Sequence, residues 1–367
     1  MGLSYLVYPG AHHTRFHHAL GCMYLMQKSI QVLRFKGVEI STSEEDGLLC
    51  AILLHDIGHG PFSHAMEHSI VEGVSHEFIS LQFMQELNER FNGSLTEAIS
   101  IFTGNHEKKF LNQLVSSQLD MDRLDYLKRD SFYTGVAEGN TNAERLITML
   151  NVVDGSLVIE EKGIYSVEKF LMARRFMYWQ VYLHKTAVVA ERLLISILKR
   201  ARFLIEKGET LNSSTPLHYF LTHHIDINNF NGDTLLKFAK LDDIDILAAL
   251  KDWQYSNDFV LSSLCAMIIN RKLLHIKVKK EPISETKFLM QLNKVKAEYN
   301  ITDEEASYFV FKGELRNKAY DRQHQTINIL RKNGKITDVA KLSDHLNLNA
   351  LSKTVTKYYM CYPKEGV

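Results

Sequence analysis

The chain has 367 residues, of which 45% are hydrophobic and 23% are charged, and this composition is typical of a globular protein with a large buried core. Lysine and arginine together number 43, as do aspartate and glutamate. The chain therefore has no net positive charge that would attract it as a whole to nucleic acid or anionic lipid. The N-terminus has no signal-peptide pattern and no apolar run of about 18 residues occurs, so we predict a cytoplasmic protein without a membrane span. Wide cysteine spacing argues against a disulfide framework and a cysteine-based zinc site; the cysteines are Cys22, Cys50, Cys265 and Cys361.

Helical spacing dominates the chain up to about residue 271, and only 5 prolines interrupt the whole sequence. The segment from Ser156 to Tyr165 is an exception, because its alternation of apolar and polar residues predicts a short β-hairpin. The predicted helices cover about 13–33, a segment that starts near Thr42 and runs into His55, then 75–91, 111–130 and 167–204.

The character of the sequence changes near residue 272. Residues favourable to β-structure recur at 276–278 and 308–311. The segment TINILRKNGKI at 326–336 places two strand-like runs around an Asn-Gly dipeptide, a combination that favours a hairpin. We therefore predict a mainly α fold, with a helical domain over residues 1–272 and a small mixed α/β region over residues 273–367.

The strongest local signal is the motif LLHDIGHGPFSH at residues 53–64. His55 and His59 are four residues apart and would share one face of a helix, while Asp56 adds a carboxylate beside the first imidazole. Imidazole and carboxylate together suit a divalent ion. The alternative is that these histidines only cap the end of a helix. It is weaker here, because further histidines and aspartates recur in other segments.

Five segments carry a resemblance to a known family: HTRFHH at 13–18, HDIGHGPFSH at 55–64, SHEF at 75–78, DMDRLDYLKRD at 120–130 and RRFMYWQVYLHK at 174–185. Together, and in this order, they resemble the deoxynucleoside triphosphate triphosphohydrolase branch of the HD-domain proteins. The resemblance covers about residues 3–205 and is looser afterwards. It implies a helical HD core and the hydrolysis of a deoxynucleoside triphosphate to deoxynucleoside and triphosphate.

The resemblance also implies a metal centre. In the family one histidine, the His-Asp pair and a distant aspartate bind the ion, and the matching positions here are His18, His55, Asp56 and Asp122. Such ligands from three helices would leave open positions for water and phosphate. From the residues alone, Asp120 and Asp125 remain alternatives to Asp122. The implied cofactor is a divalent transition metal, with Fe, Mn, Zn, Co and Ni as candidates and Mg as a further ion.

Catalytic and substrate-binding residues follow from the same resemblance. His76 matches the histidine assigned to acid catalysis, and His59 and His64 match histidines that orient water and phosphate. Arg15 lies one helical turn before His18, where its planar fork suits a phosphate oxygen. The other implied contacts to phosphate, sugar and base are Asp120, Arg123, Tyr126, Asp130, Arg174 and Tyr182.

A continuous helix over residues 167–204 would place Arg174, Tyr178, Tyr182 and Lys185 on one stripe. Aromatic stripes usually pack in a protein core, but two cations on the same stripe favour a buried anionic partner. By resemblance, Arg174 grips the distal phosphates and Tyr182 lies beside the base and sugar.

The predicted partners are a nucleotide substrate, an activating nucleotide and further copies of the chain in a dimer or tetramer.

One departure from the family pattern concerns recognition of the sugar. The family carries Gln-Leu-Gly before the segment that matches Ser4 to Tyr8, whereas here Met1 stands at the Leu position and the Gln has no counterpart. Either the start site is late or discrimination against ribose is lost. Two rival functions remain: an HD-type nucleotidase or phosphodiesterase acting on a smaller phosphate ester, and a nucleotide-sensing protein.

Overall fold

The computed structural model describes residues 1–62, 64–67, 69–322, 325–343 and 348–364, without the side chains of residues 64, 349 and 350. Helices dominate these residues, and two small sheets accompany them. The predicted mainly α fold is therefore confirmed. Within these ranges no helix combines the length and apolarity that crossing a bilayer requires.

The N-terminal half begins with a 3-10 turn at Gly2–Leu6 and continues as a series of helices. These are α1 (Arg15–Phe35), α2 (Thr42–Leu54), α3 (His64–Glu67), α4 (His76–Arg90), α5 (Thr96–Phe102), α6 (Lys109–Val115), α7 (Met121–Thr134) and α8 (Ala143–Thr148).

Side-chain caps explain where the helices of the site begin. Thr14 and Ser41 each form a capping box, so that α1 and α2 start one residue later. Asp120 accepts a hydrogen bond from the backbone N–H of Arg123 and starts α7. The single helix predicted over 111–130 is therefore wrong, because this cap separates α6 from α7.

Helix α1 packs against both α2 and α7, and the three helices share one apolar core. Burying a large aliphatic side chain stabilises the fold by about 1.5–3 kcal/mol, so a core of this size fixes the three helices firmly. The core residues include Met26 and Ile30 of α1, Leu48 and Ile52 of α2, and Leu124 and Leu127 of α7. Their packing brings the first turn of α1, the end of α2 and the first turn of α7 together.

The long helix predicted over 167–204 is interrupted in the structure. Helix α9 (Ile164–Met177) passes into a π-helical turn at Tyr178–Tyr182, and α10 (Lys185–Glu206) starts after His184. The His184 side chain accepts a hydrogen bond from the backbone of Thr186 and caps the new helix. The prediction of one stripe through Arg174, Tyr178, Tyr182 and Lys185 is therefore wrong, because Lys185 belongs to a separate helix.

The strands are β1 (Leu150–Val153), β2 (Ser156–Glu160), β3 (His275–Lys279), β4 (Phe311–Asn317), β5 (Asn328–Leu330), β6 (Ile336–Asp338) and β7 (Val355–Tyr362). One sheet has the order β1-β2-β5-β6, and the other has the order β3-β7-β4. The hairpin predicted around the Asn-Gly dipeptide is confirmed as β5 and β6. The hairpin predicted over 156–165 lies nearer to the N-terminus than expected. Strand β2 pairs antiparallel with the preceding strand β1, and the turn between them is Asp154-Gly155, where both residues have positive φ.

Helices also fill the rest of the chain: α11 (Thr215–Thr222), α12 (Gly232–Phe238), α13 (Asp243–Trp253), α14 (Phe259–Ile269), α15 (Glu285–Tyr299), α16 (Asp303–Ser307), α17 (Val339–Leu342) and α18 (Leu348–Leu351). The parallel pairing of β2 with β5 connects the two sides of residue 272. A division into domains 1–272 and 273–367 stays a prediction.

Candidate metal centre and substrate cavity

Two imidazoles and two carboxylates converge where α1, α2 and α7 meet. His18 lies in the first turn of α1, His55 and Asp56 directly follow α2, and Asp122 is the second residue of α7. The His18 Nε2 atom lies 3.1 Å from Asp122 Oδ1 and 3.9 Å from Asp56 Oδ2. The His55 Nε2 atom lies 3.5 Å from Asp122 Oδ1 and 3.5 Å from Asp56 Oδ1. All four residues expected to bind metal therefore lie together.

The donor atoms fit a divalent ion. His55 is buried, and its Nδ1 lies 2.6 Å from the carbonyl oxygen of Ile52, so its other nitrogen faces the cluster. That Nε2 atom has no hydrogen bond of ordinary geometry within the described chain. Cys22 also approaches the group, with its Sγ 3.5 Å from His18 Nδ1. Burial raises the pKa of the Cys22 thiol to about 12, so this thiol keeps its proton in the metal-free cluster.

The charges of the candidate ligands are strongly coupled. Burial alone would lower the pKa of His18, but hydrogen bonds to Asp122 and Asp125 outweigh burial and raise that pKa. For Asp122, burial favours the neutral acid, but the hydrogen bond from His18 and the close approach of the His55 imidazole outweigh burial and lower its pKa. The pKa of His55 is raised as well, because its two neighbouring carboxylates outweigh its burial. The metal-free pocket therefore holds protons on its imidazoles.

We expect the affinity for a divalent ion to rise with pH between about 6 and 8, because the ion must displace the protons of His18 and His55. Their raised pKa values mean that metal-free protein carries these protons near neutral pH, so lower pH strengthens the competition. Calorimetric titration with Co²⁺ in two buffers of different ionisation enthalpy would measure the protons released. Binding without proton release would contradict this expectation.

A second group of possible metal ligands lies beside the first: Asp56, His59 and His76. The His59 and His76 rings stack with their centroids 3.8 Å apart, and His59 Nδ1 lies 3.5 Å from Asp56 Oδ1. The prediction that His55 and His59 share a helical face is wrong, because α2 ends at Leu54. A turn after the helix brings His59 to the site instead.

Gly58 allows this turn to approach α4, which carries His76. A Cβ atom on Gly58 would lie 2.2 Å from the carbonyl oxygen of His76 and 2.3 Å from the backbone nitrogen of Ser80. The Ser80 hydroxyl accepts a hydrogen bond from Gly58 N–H and donates one to the carbonyl of His55. These contacts fix α4 against the His-Asp pair, so His76 is held at a defined distance from the centre.

The candidate ligands line part of a cavity of about 700 Å³. This volume lies within the range of about 300–1,000 Å³ that is usual for small-molecule sites. Met1 to Ser4 also line it, so the segment that departs from the family pattern borders the cavity. The other predicted site residues that line the cavity are Arg15, His59, His76, Arg123, Tyr126, Asp130 and Tyr182.

Asp130 anchors a polar network in this cavity, and the sequence did not indicate its partner His13. The Tyr182 hydroxyl donates to Asp130 Oδ2 at 2.7 Å, and His13 Nε2 lies 2.7 Å from Oδ1. Burial, followed by the charge of Asp130, raises the pKa of Tyr182, so its hydroxyl keeps the proton. His13 also stacks on Tyr133. Glu67 is a second missed residue, since its Oε1 lies 3.0 Å from the Nδ1 of His76.

Some predicted site residues do not face the cavity. Asp120 is buried at the cap of α7, where burial raises its pKa to about 6, and Arg174 places its Nη1 atom 3.3 Å from the side chain of Gln118. Neither residue lines the cavity, nor does Lys185. The side chain of His64 lies outside the described part of the chain, so its predicted role stays a prediction.

Comparisons with known proteins agree with this geometry. The HD domain family matches residues 15–130, and the HD associated region matches residues 141–214. The uncharacterized protein YwfO of Bacillus subtilis is 32% identical over 100% of this chain and 84% of its own length. A Dictyostelium discoideum homolog of the deoxynucleoside triphosphate triphosphohydrolase SAMHD1 is 25% identical over 84% of this chain and 68% of its own length.

A solved structure resembles the whole chain. The crystal structure of the phosphohydrolase BT4208 of Bacteroides thetaiotaomicron is 52% identical and superimposes with a TM-score of 0.95. The match covers 99% of this chain and 91% of the solved chain. The resemblance seen in the sequence motifs is thereby confirmed, and the chain belongs to the family of HD-domain phosphohydrolases.

Proposed function

We propose that this HD-domain protein is a metal-dependent hydrolase that converts a deoxynucleoside triphosphate to deoxynucleoside and triphosphate. The observation that carries the proposal is the position of the four candidate ligands in the wall of a cavity lined by arginines and tyrosines. The relatives that are deoxynucleoside triphosphate triphosphohydrolases of the SAMHD1 type support the triphosphate substrate.

His18, His55, Asp56 and Asp122 would hold the ion, as the approach of each imidazole to within 4 Å of both carboxylates supports. A bound divalent ion supplies Lewis acidity towards a phosphoryl oxygen and lowers the pKa of a bound water. Arg15 contributes a cation at the same place, because its Nη1 lies 2.5 Å from Asp56 Oδ2. The guanidinium can bind a phosphate oxygen and stabilise charge that develops during the reaction.

His76 is the proposed general acid. The water oxygen forms a bond to the α-phosphorus and releases one proton to solvent, while the bond from that phosphorus to the 5′ oxygen breaks. His76 gives a proton to the departing oxygen and regains one from solvent. The carboxylate of Glu67 holds the opposite ring nitrogen of His76, which fixes the direction of the proton. Stacking on His59 restricts the ring further.

The network around Asp130 provides the proposed sugar end of the cavity. His13 and Tyr182 each occupy one carboxylate oxygen, and each oxygen retains a lone pair that a sugar hydroxyl could use. Tyr126 lies edge-on to Tyr182, with ring centroids 6.0 Å apart, and adds apolar surface for a base or sugar. Arg123 lines the same cavity and is the proposed second phosphate contact.

Product analysis tests the proposal. We expect the full chain, supplied with Co²⁺ or Mn²⁺, to release triphosphate and deoxynucleoside from deoxynucleoside triphosphates, as resolved by anion-exchange chromatography. A preparation of the His55→Ala, Asp56→Ala double variant controls for contaminating phosphatases. Release of inorganic phosphate from monophosphates alone would replace this proposal with the nucleotidase function. Nucleotide binding without any product would favour a sensing protein.

Arg174 supplies the second arm of that experiment. Arg174 lies outside the cavity lining, but its charge acts on Tyr126 of the cavity wall, and its buried Nε atom has no hydrogen-bond partner among the described residues. Both observations support a contact with the distal end of a bound triphosphate. Losing a charge-assisted contact costs about 1.5–3 kcal/mol, so Arg174→Ala should lower kcat/KM for triphosphates about 10- to 100-fold. Monophosphates should lose little, and the neighbouring Arg175→Ala should change neither. An equal decrease in kcat/KM for both substrates would mean that Arg174 supports the fold and does not contact the distal phosphates.

A further inference from the structure

The imidazole of His18 uses its two nitrogens on opposite sides. Nε2 faces the candidate ligands, 3.1 Å from Asp122 Oδ1, whereas Nδ1 lies 2.7 Å from Oδ2 of Asp125. An ionised carboxylate can only accept a hydrogen bond, so Nδ1 carries the hydrogen and Nε2 is the nitrogen available to a metal. Asp125 therefore lies behind the imidazole, on the nitrogen that faces away from the centre.

Arg129 holds Asp125 in this position. The Nε atom of Arg129 lies 2.8 Å from Oδ2, and its Nη2 atom lies 2.8 Å from Oδ1, so the guanidinium grips both carboxylate oxygens. Both residues belong to α7, four positions apart, and face α1 from one side of that helix. The Asp125 side chain is only 9% exposed, which shields the pair from solvent. The carboxylate consequently has one orientation.

Gly21 makes room for this pair on α1. A Cβ atom at this position would lie 2.0 Å from Asp125 Oδ1 and 2.1 Å from Arg129 Nη2, which is far inside van der Waals contact. Glycine is a poor helix former, yet Gly21 lies in the interior of the 21-residue α1. The close approach of the clamped carboxylate accounts for its presence there.

The second imidazole of the site is held differently. The Nδ1 atom of His55 donates to a neutral backbone carbonyl, that of Ile52, whereas His18 has a charged partner. We propose that Asp125 is a positioning residue that fixes the ring orientation and tautomer of His18 for metal binding. Arg129 holds the Asp125 carboxylate through two hydrogen bonds, and Gly21 leaves the space that this carboxylate occupies. This inference rests on the proposed metal site. It gives Asp125 a role other than that of a ligand.

The proposed role has a measurable consequence for affinity. A carboxylate behind a metal-binding imidazole fixes the ring and raises its basicity, and loss of such a partner weakens metal binding about 10- to 100-fold. Asp125→Asn keeps the shape of the side chain but removes the charge. Its amide group can also donate to Nδ1, which would favour the tautomer that blocks Nε2.

The test is calorimetric titration of the chelator-treated full chain with Co²⁺ alone. Asp258→Asn is the matched control, because Asp258 is also gripped at both oxygens by an arginine, Arg200, at 3.1 and 2.6 Å. We expect the Kd for Co²⁺ to rise about 10- to 100-fold in Asp125→Asn and to stay unchanged in Asp258→Asn. The Tm of each metal-free variant records the cost of losing a buried ion pair, which both should share.

The outcomes separate the inference from the proposed function. If wild-type protein binds no Co²⁺, the proposed metal site fails and the inference fails with it. If wild-type protein binds Co²⁺ and both variants bind equally well, or are equally weakened, only the inference is overturned.

Gly21→Ala is the second variant, and it keeps the test decisive if Asp125→Asn does not fold. Alanine is the better helix former, so a purely local effect would stabilise the protein. We expect weaker Co²⁺ binding instead, because the new methyl group displaces Asp125 and Arg129 while every candidate ligand remains in the sequence. Unchanged Co²⁺ affinity in this variant would overturn the inference.

Discussion

Replacing His55 and Asp56 together by alanine is expected to abolish metal binding and phosphohydrolase activity. The two residues supply half of the candidate ligands and leave the cavity only His18 and Asp122. Two ligands cannot satisfy an ion that is usually bound by three or more protein groups. The loss of metal and the loss of activity should therefore appear in the same variant.

The fold should survive this double replacement. The His-Asp pair follows the end of α2, and the core residues of that helix lie further towards its start. The ion pair between Asp56 and Arg15 is lost as well, but the Arg15 side chain is 37% exposed, so solvent already weakens that pair.

Elemental analysis of purified protein measures the metal directly, and thermal unfolding followed by circular dichroism reports the fold. A matched control removes another histidine and carboxylate, His106 and Glu97. The Nε2 atom of His106 lies 2.9 Å from Oε1 of Glu97, and neither residue lines the cavity. The His106→Ala, Glu97→Ala variant should keep its metal. Full occupancy in the His55→Ala, Asp56→Ala protein would contradict the assignment of both ligands.

The second large effect is expected for His76→Ala, which should lower kcat by about 100-fold or more while metal stays bound at the centre. This is the usual scale for loss of a general acid, and His76 lies where α4 meets the cavity. The stacking partner His59 remains in place and still borders Asp56. Steady-state kinetics on the nucleotide that the product screen selects would measure the change.

Two neighbouring carboxylates provide controls for His76. Glu67→Gln removes the charge that holds Nδ1, and we expect an intermediate loss in kcat because the imidazole remains but is less well oriented. Glu77→Gln alters a mostly exposed carboxylate 3.2 Å from Nε2, and we expect a smaller loss than in Glu67→Gln because solvent screens its charge. A loss of bound metal in His76→Ala would instead assign His76 to the second ligand group. An unchanged kcat would make the residue structural.

The sequence predicted the candidate ligands because their motifs are short and distinctive. His55 and Asp56 are adjacent, and their place after an apolar helix could be read from the pattern of α2. The interpretation that placed His55 and His59 on one helical face was wrong, because α2 ends at Leu54 and the glycines that follow allow a turn. The motifs therefore indicated which residues are candidates, but not the local conformation that brings them together.

The supporting residues could not be predicted in the same way. His13 contacts Asp130 across 117 positions, and His18 contacts Asp125 across 107, so each pair exists only once the helices have packed. No local pattern encodes such contacts. The break after α9 was missed for a related reason, since a π-helical turn at Tyr178–Tyr182 contains no proline or glycine.

The parallel pairing of β2 with β5 has a consequence for how the chain is made. Ile159 pairs with Ile329, and Ile329 lies in the same core as Ile30 and Phe170. That core cannot close while the ribosome still has to add residue 329. Contacts between such distant positions form slowly, and apolar surfaces stay exposed until they do. We therefore expect the apolar surfaces of α1, α2 and α7 to stay partly exposed until residue 329 has been added, and chaperones to protect them until then.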